Sequence, residues 1–267
     1  MNERETVALK GKVLVLAELR AVTGLRIGGS SEGLKIGGVD ARIIRDPWDR
    51  PYLPGSSLKG KLRTLLEHHL EVSLEVGIGR VAEHRCKSAA DYSSCAVCRA
   101  FGTREALDTM SLTRLRVRDA YLDESSVKAL PAAEVTLSEV KTEIMIDRRT
   151  GTTGGRGAGG LRQIERVPAG AIFRPVELVL NVFEESDKDL LKHVFVAMEL
   201  LEDDYLGGMG SRGYGKVKFE NIGLWWNRAA DYESGKVALA DDRRINGDMK
   251  TPTALVAGFD ALKAKLT

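Results

Sequence analysis

Apolar and polar residues alternate along the chain with two different periods. After Ser56 and Ser57, apolar side chains recur every three or four residues, which predicts an amphipathic helix with a basic first turn. Its apolar stripe consists of Leu58, Leu62, Leu65, Leu66 and His69. A second stripe of the same period predicts another helix, for which Ser186 and Asp189 are the candidate N-terminal caps. That stripe consists of Leu190, Leu191, Val194, Phe195, Met198 and Leu201.

Apolar runs of strand length surround the two predicted helices. They cover residues 13–19, 114–122, 140–147, 173–183 and 216–226. The resulting order of strand, helix, strands, helix and strand predicts an α+β fold of the ferredoxin-like type, elaborated by insertions. We expect this core to occupy residues 1–226. Residues 227–267 are predicted to form a polar linker and a C-terminal helical appendage.

Composition and the absence of long apolar runs predict where the protein is located in the cell. The chain has 267 residues, of which 43% are hydrophobic, and can therefore bury a substantial core. Its first ten residues are charged and contain no apolar stretch of signal-peptide length. No window approaches the roughly 18 consecutive apolar residues of a membrane span. We predict a cytoplasmic protein without membrane contact.

The charge is nearly balanced overall, with a formal value of +2, but it is unevenly distributed. Residues 42–63 contain six basic and two acidic side chains, and residues 141–166 contain six and three. Arg212, Lys216 and Lys218 form a third basic stretch, whereas residues 184–204 contain eight acids and two lysines. This distribution predicts one acidic face and one basic face that attracts phosphate.

All three cysteines lie within thirteen residues, close to a histidine. An odd number so crowded is typical of metal ligation in a reducing compartment, and the alternative is a set of buried or redox-active thiols. The pattern His84-x-Cys86-x8-Cys95-x2-Cys98 provides four zinc ligands, which leave no position for a substrate water. The sequence therefore predicts a structural zinc ion. A zinc-dependent deaminase is disfavoured because Cys86 occupies the place of the glutamate that its chemistry requires.

Two glycine-rich segments imitate nucleotide-binding motifs. Residues 55–61 (GSSLKGK) match a P-loop, except that Leu62 replaces the hydroxyl residue that would hold magnesium. Residues 208–213 (GMGSRG) spell a dinucleotide fingerprint, but they follow a predicted helix and precede a strand, which is the reverse of the required order. Both segments place cations beside accessible backbone, which favours a polyanion. A zinc-stabilised nucleotide-binding enzyme stays open as an alternative.

Eight segments, taken in order, resemble the repeated backbone subunit of the type III-A CRISPR effector, the Csm complex, within the RAMP superfamily. They are TGLRIGGS (residues 23–30), IGGVD (36–40), IRDP (44–47), PYLPGSSLKGK (51–61), CAVCRAFG (95–102), IDR (146–148), QIERVP (163–168) and LGGMGSRGYG (206–215). The resemblance implies an RRM-like core, a zinc-binding insertion at about residues 78–112 and a protruding thumb hairpin at about residues 141–172. Six glycines at residues 151–160 predict a flexible thumb tip.

The same resemblance implies partners and an activity. The partners are CRISPR RNA, complementary target RNA, other Csm subunits and further copies of the chain in a head-to-tail filament. Base pairing would read the sequence while the protein holds backbone and shape. Alternatives are a non-cleaving RNA-binding scaffold and the equivalent subunit of a type III-B (Cmr) complex.

Asp40 becomes the candidate catalytic residue through this resemblance, although a loop aspartate alone is typical of a turn. It would act on the 2′-hydroxyl of the target RNA as a general base, or hold a divalent cation such as Mg²⁺ or Mn²⁺. Arg26 replaces a histidine that is frequent in the family, which indicates a phosphate contact. RNA contacts are predicted for Arg26, Ser56, Ser57, Lys59, Lys61, Arg63, Arg148, Arg162, Arg166, Arg212 and Lys216.

Overall fold

The computed structural model describes residues 7–28, 41–76, 82–104, 111–129, 137–153, 161–235, 239 and 243–267. Its strands are β1 (Gly11–Ala21), β2 (Tyr52–Leu53), β3 (Glu75–Val76), β4 (Ala82–Glu83), β5 (Leu115–Val117), β6 (Ala120–Tyr121), β7 (Glu139–Ile144), β8 (Leu161–Arg166), β9 (Ile172–Val182) and β10 (Val217–Arg228). Its α-helices are α1 (Gly55–His69), α2 (Ala89–Ser94), α3 (Ala96–Phe101), α4 (Glu124–Ala129), α5 (Leu190–Asp203), α6 (Ala229–Glu233), α7 (Pro252–Ala257) and α8 (Phe259–Lys263). Short 3-10 helices cover Glu185–Asp189 and Gly210–Arg212.

Four antiparallel strands form the central sheet in the order β10, β1, β9, β5. Along the chain these strands and the two long helices follow one another as β1, α1, β5, β9, α5, β10. This is the ferredoxin-like arrangement, so the predicted fold class is confirmed. Alternate residues of β1, including Val13, Val15 and Leu19, are buried in one continuous core with the apolar faces of the helices.

Helix α1 buries the predicted leucines but departs from the predicted stripe at its end. Leu58, Leu62 and Leu66 are fully buried, whereas His69 is exposed and Glu67 is buried instead. The helix begins where the backbone N–H of Gly55 donates to the carboxylate of Asp119 over 2.7 Å. A Cβ at this glycine would lie 2.3 Å from the carbonyl oxygen of Val117, so the close approach requires glycine.

Helix α5 buries every residue of its predicted stripe, and of the two predicted caps Asp189 occupies the N-cap position whereas Ser186 does not. A 3-10 turn precedes the helix, and Asp189 makes no side-chain capping bond. The carboxylate of Asp187 accepts the backbone N–H groups of Phe183 and Glu184, at 2.9 and 3.0 Å. Asp187 is fully buried, so this cap also places a carboxylate inside the protein.

Two predicted strands have different limits in the structure. The run at residues 114–122 divides, because β5 pairs with β9 in the central sheet while β6 pairs with β2. The run at residues 140–147 becomes β7, whose partner β8 was not among the predicted strands. β7 and β8 form a separate antiparallel hairpin in which Glu139 faces Arg166 and Ile144 faces Leu161.

The C-terminal helices join the same hydrophobic core. Helix α7 packs against α5, and the indole N–H of Trp226 donates to the carbonyl of Thr267 over 3.0 Å. The buried residues of this region are Leu255, Phe259, Leu262 and Leu266. The segment beyond residue 226 therefore covers one side of α5. Among the described residues, none of the helices has the length and apolar character needed to cross a membrane.

Candidate metal centre and nucleic-acid interface

The four predicted metal ligands come together in one cluster. Their donor atoms all lie within 4.8 Å of one another. His84 follows β4, and Cys95 and Cys98 lie at the start of α3. The Nε2 atom of His84 is 3.3 Å from the sulfur of Cys95 and 3.6 Å from that of Cys86. These separations suit a tetrahedral ion with metal–sulfur bonds of about 2.3 Å and a metal–nitrogen bond of about 2.0 Å, so the residues fit a metal.

The ring of His84 is oriented by a backbone carbonyl. Its Nδ1 atom lies 3.0 Å from the carbonyl oxygen of Ser73, which can only accept a hydrogen bond. Nδ1 therefore carries the proton, and Nε2 presents its lone pair to the three sulfurs. This is the tautomer that a metal-binding histidine needs.

The thiols share their protons unevenly. Hydrogen bonding from Cys98 lowers the pKa of the Cys95 thiol, whereas burial raises the pKa of Cys86. The pKa of Cys98 is raised because its thiol proton is shared with Cys95 and because it is buried. A bound cation would allow all three sulfurs to be thiolates together, which is the ligand form that zinc requires.

Arg63 and Glu67, on helix α1, contact the peptide groups of this cluster. The guanidinium of Arg63 donates to the carbonyl of His84 over 2.7 Å and to the carbonyl of Gly102 over 3.0 Å. Its Nε donates to the carboxylate of Glu67 over 2.7 Å. The same carboxylate oxygen accepts the backbone N–H of His84 over 3.3 Å. The structure thus places Arg63, predicted as an RNA contact, against internal acceptors.

A buried carboxylate anchors the other side of the metal-binding segment. Asp187 accepts hydrogen bonds from Arg99 of helix α3, over 2.7 Å, and from Arg114, over 3.0 Å. Arg114 also donates to the hydroxyl of Tyr92 in helix α2 over 2.6 Å. Tyr92 packs against the buried cysteines. These partners are distant in sequence, so periodicity could not reveal them.

The first turn of helix α1 presents basic and polar groups to solvent. Ser56 is exposed, and Ser57 and Lys59 are partly exposed. Burial, and then the positive charges of Arg63 and Arg116, lower the pKa of Lys59. Within the described ranges, no ion pair joins Lys59 to a carboxylate. Among the described residues, Lys59 and the exposed Arg116 have no carboxylate partner, whereas Arg63 is paired with Glu67. Unpaired cations attract phosphate, and sequence reasoning missed Arg116 because it lies on β5.

Three other predicted RNA contacts have internal partners. Lys61 forms an ion pair with Asp204 at 2.7 Å, beneath the ring of Tyr205. Arg166 pairs with Glu139 at 2.5 Å, and Arg212 is 3.3 Å from Glu143. The guanidinium of Arg166 also covers the ring of Tyr214. The Arg212–Glu143 and Arg166–Tyr214 contacts join the β7–β8 hairpin to the segment at residues 205–215, whereas the Arg166–Glu139 pair lies within the hairpin.

The remaining basic residues of the hairpin region are exposed. Arg148, Arg162 and Lys216 are all accessible to solvent. Arg162 and Arg212 line a surface cleft of about 450 Å³ together with Lys141. The hairpin therefore has a basic side that could follow an RNA backbone.

Arg26 lies where two glycine-rich motifs meet. Its backbone carbonyl accepts the N–H of Gly208 over 2.8 Å. A Cβ at Gly207 would lie 2.2 Å from this carbonyl oxygen, and the φ of Gly207 is +79°, so glycine is required there. The Nε atom of Arg26 is buried and has no hydrogen-bond partner among the described residues.

Asp40 lies outside the described residues, but the chain that follows it is fixed. The carbonyl of Ala41 accepts the N–H of Glu165 over 3.0 Å, and Ala41 bridges to Ile164. The carboxylate of Glu165 accepts the N–H of Ile43 over 3.0 Å and a bond from Arg45 over 2.5 Å. Burial opposes ionisation of Glu165, but these bonds outweigh it and lower its pKa. The segment after Asp40 is thereby tied to the base of the hairpin.

Comparisons with known proteins identify the family. A model of the RAMP superfamily matches residues 18–218, about three quarters of the chain. The chain belongs to the RAMP superfamily.

Within that superfamily, its curated relatives are named CRISPR system Cms endoribonuclease Csm3, which confirms the resemblance seen in the motifs. The relative from Methanocaldococcus jannaschii is 44% identical over 232 residues, which cover 87% of this chain and 88% of the relative. The relative from Methanothermobacter thermautotrophicus is 36% identical, covering 85% and 92%.

Solved structures agree with the fold. A Csm3–Csm4 subcomplex of the type III-A CRISPR-Cas interference complex contains a chain that is 30% identical, with a TM-score of 0.56 and coverage of 95% and 97%. The crystal structure of Methanopyrus kandleri Csm3 has a TM-score of 0.64 and coverage of 97% and 99%. Because the latter is only 23% identical, it supports the fold alone.

Proposed function

We propose that this chain is a backbone subunit of a type III-A CRISPR effector complex, where it binds guide RNA and cleaves complementary target RNA. The observation that carries the proposal is the 44% identity, over 87% of the chain, to a relative named as an endoribonuclease. The basic first turn of helix α1 and the basic hairpin β7–β8 support it, because both attract a polyanion.

Cleavage is proposed for Asp40. The 2′-hydroxyl of the target would attack the adjacent phosphorus, forming a 2′-oxygen–phosphorus bond, while the bond to the 5′-oxygen breaks. Asp40 would take the 2′-proton, or it would hold a divalent cation such as Mg²⁺ or Mn²⁺ beside the substrate phosphate while water takes that proton, and the departing 5′-oxygen would take a proton from water. The Glu165 N–H donates to the carbonyl of Ala41, and the Ile43 N–H donates to the Glu165 carboxylate. These bonds support this role, because they hold the residues that follow Asp40 against the hairpin.

We divide the predicted RNA contacts by their surroundings. Direct contacts are proposed for those that form no ion pair with another described residue, which are Arg26, Ser56, Ser57, Lys59, Arg148, Arg162 and Lys216. Lys61, Arg166 and Arg212 would instead shape the basic surface through their carboxylate partners, although Arg212 is exposed enough to reach a phosphate as well.

The metal is proposed to be Zn²⁺ with a structural role. His84, Cys86, Cys95 and Cys98 would hold it, and their four donors leave no position for a reacting water. The ion would stabilise the segment that carries helices α2 and α3.

Assembly with further copies of the chain, head to tail along the guide, is also proposed. One face of the β7–β8 hairpin supports it: Val140, Ile144 and Leu161 are each more than half exposed. In the hairpin register, Ile144 is directly opposite Leu161, and Val140 lies on the same face. Such an apolar face is suited to cover by RNA or a neighbouring subunit. Other Csm subunits are proposed as partners, since a related Csm3 occurs with Csm4.

The proposal is tested by Asp40→Ala in the assembled complex. Guide and target RNA should still bind, whereas target cleavage should disappear. Asp248→Ala is the matched control, because Asp248 is an exposed aspartate of the C-terminal region. Retained cleavage in Asp40→Ala would remove the catalytic assignment. A wild-type complex that binds target RNA but never cleaves it would support a scaffold without activity.

A further inference from the structure

We infer that Arg63 and Glu67 are positioning residues of the metal centre, which fix the backbone of His84 before the ion binds. The inference rests on the proposed function in one respect, namely that the cysteine and histidine cluster binds zinc. It assigns to Arg63 a role different from the RNA contact that its basic surroundings in the sequence indicate.

Arg63 and Glu67 together bind the backbone carbonyl and the backbone N–H of His84. Arg63 donates to the carbonyl of His84, and Glu67 accepts the N–H of the same residue, over 2.7 and 3.3 Å. Arg63 and Glu67 also bind each other over 2.7 Å. Glu67 is only 5% exposed, so its charge is compensated within this arrangement.

The ring of His84 is fixed independently of its backbone. Nδ1 donates to the carbonyl of Ser73, so that backbone and ring are held by separate contacts. This contact, which does not involve the ion, directs Nε2 at the sulfurs. Such preorganisation removes an ordering cost that metal binding would otherwise include.

Arg63 also joins the two chain segments that supply the ligands. Its second guanidinium nitrogen donates to the carbonyl of Gly102, the residue that ends helix α3. The N–H of Gly102 in turn donates to the carbonyl of Cys98 over 2.9 Å. One guanidinium thus contacts the segment of His84 and the end of the helix that carries Cys98.

The alternative role, a direct RNA contact, would need free donors. Each of the three nitrogens of Arg63 already donates to an acceptor within the protein, and the side chain is only 19% exposed, which leaves its two remaining N–H groups little access to a phosphate. Lys59, one turn earlier on the same helix, is available instead. Helix α1 is therefore divided between an RNA-facing first turn and a second half that positions the metal centre.

Metal affinity of the full-length chain tests this inference. Zinc would be titrated against a chromogenic chelator in the wild type and in Arg63→Ala, Arg63→Lys and Glu67→Gln. Loss of residues that orient metal ligands typically costs 10–100-fold in affinity, and we expect this for Arg63→Ala. Arg63→Lys keeps the charge but cannot reach all three acceptors, so a loss of at least threefold is expected. Glu67→Gln should have an intermediate effect.

Two control variants on helix α1 distinguish a specific effect on the metal ligands from a general weakening of the packing of the helix. Lys59→Ala removes a proposed RNA contact, and Lys61→Ala breaks a structural ion pair with Asp204. Both should bind zinc with wild-type affinity. An affinity loss in Lys61→Ala equal to that in Arg63→Ala would assign the effect to helix packing and overturn the inference.

A second readout reports the geometry of the centre. In Co²⁺-loaded protein, the absorption of tetrahedral cobalt–thiolate should be retained in both control variants and altered in Arg63→Ala. Wild-type zinc affinity in Arg63→Ala overturns the inference; if that variant is insoluble, wild-type affinity in Arg63→Lys does so. A wild-type chain that binds no zinc would instead refute the metal site of the proposed function.

Discussion

The N–H of Glu165 donates to the carbonyl of Ala41 over 3.0 Å, and this bond joins the residue after Asp40 to strand β8. The side chain of Glu165 strengthens the connection through Ile43, Arg45 and Ser138. Contacts between residues more than 115 positions apart in the sequence thus connect the segment that follows Asp40 to the proposed RNA-binding hairpin.

Glu165→Ala should destabilise the protein and reduce cleavage together. Removing one partner of a buried ion pair costs roughly 3 kcal/mol, because the other charge is left unpaired. Denaturant unfolding measures this cost. Glu220→Ala is the control, since Glu220 pairs with Arg20 at the surface and should contribute less than about 1 kcal/mol. Equal losses in the two variants would contradict the role given to Glu165.

The same carboxylate predicts a pH dependence. The folded pKa of Glu165 is lowered from the ordinary value of 4.5, so its ionised form stabilises the native state above that value. The stabilisation should be lost as the pH falls through the lower folded pKa. Glu165→Gln should show less acid destabilisation than the wild type between pH 5 and the acid limit of folding. An identical pH profile would argue against the ion pair.

Asp187→Asn should detach the metal-binding segment from helix α5. The two guanidinium groups of Arg99 and Arg114 would lose their shared buried anion, at an expected cost of about 3 kcal/mol or more. Asp189→Asn, two residues away, changes only an exposed carboxylate. It should remain within about 0.5 kcal/mol of the wild type in the same unfolding experiment.

Metal removal should lower thermal stability. An ion that binds only the folded chain contributes about 4 kcal/mol when its free concentration is a thousand times its dissociation constant. A chelator should therefore lower the melting temperature, and elemental analysis should find about one zinc per chain. Cys95→Ser should be less stable and insensitive to the chelator. A melting temperature unaffected by chelation would contradict a structural ion.

Lys59→Ala should weaken guide RNA binding with little dependence on sequence. Each lost phosphate contact lowers the slope of log affinity against log salt by about one. Filter binding at several salt concentrations measures this slope. Lys250→Ala, on an exposed part of the C-terminal segment, should leave it unchanged. An unaltered slope in Lys59→Ala would show that this side chain faces away from the RNA.

Local patterns predicted the fold well, because the core depends on periodic apolar positions. Both helices and the order of strands and helices along the chain follow from such periods, and the spacing of the four metal ligands indicated their cluster. The burial of Glu67 was not predicted. It depends on a contact with the backbone of His84, which lies 17 residues away in the sequence, and on a pair with Arg63. Asp187 was missed for a similar reason: its arginine partners are 73 and 88 residues away.

Local sequence also misled the assignment of cations. A basic residue in a basic stretch is expected to meet phosphate, but Lys61 and Arg63 meet carboxylates and carbonyls supplied by tertiary structure. Composition cannot distinguish these from Lys59, whose neighbours are cations. The strand β8 was likewise recognisable only through its partner β7, because Arg162 and Gln163 interrupt its apolar pattern.

The most direct test of the central claim is a gel of a defined target RNA after incubation with the assembled complex and a divalent cation. The account predicts a ladder of evenly spaced products with the wild-type chain, and intact target bound by the complex with Asp40→Ala. A single product, irregular products or an undiminished ladder from Asp40→Ala would contradict it.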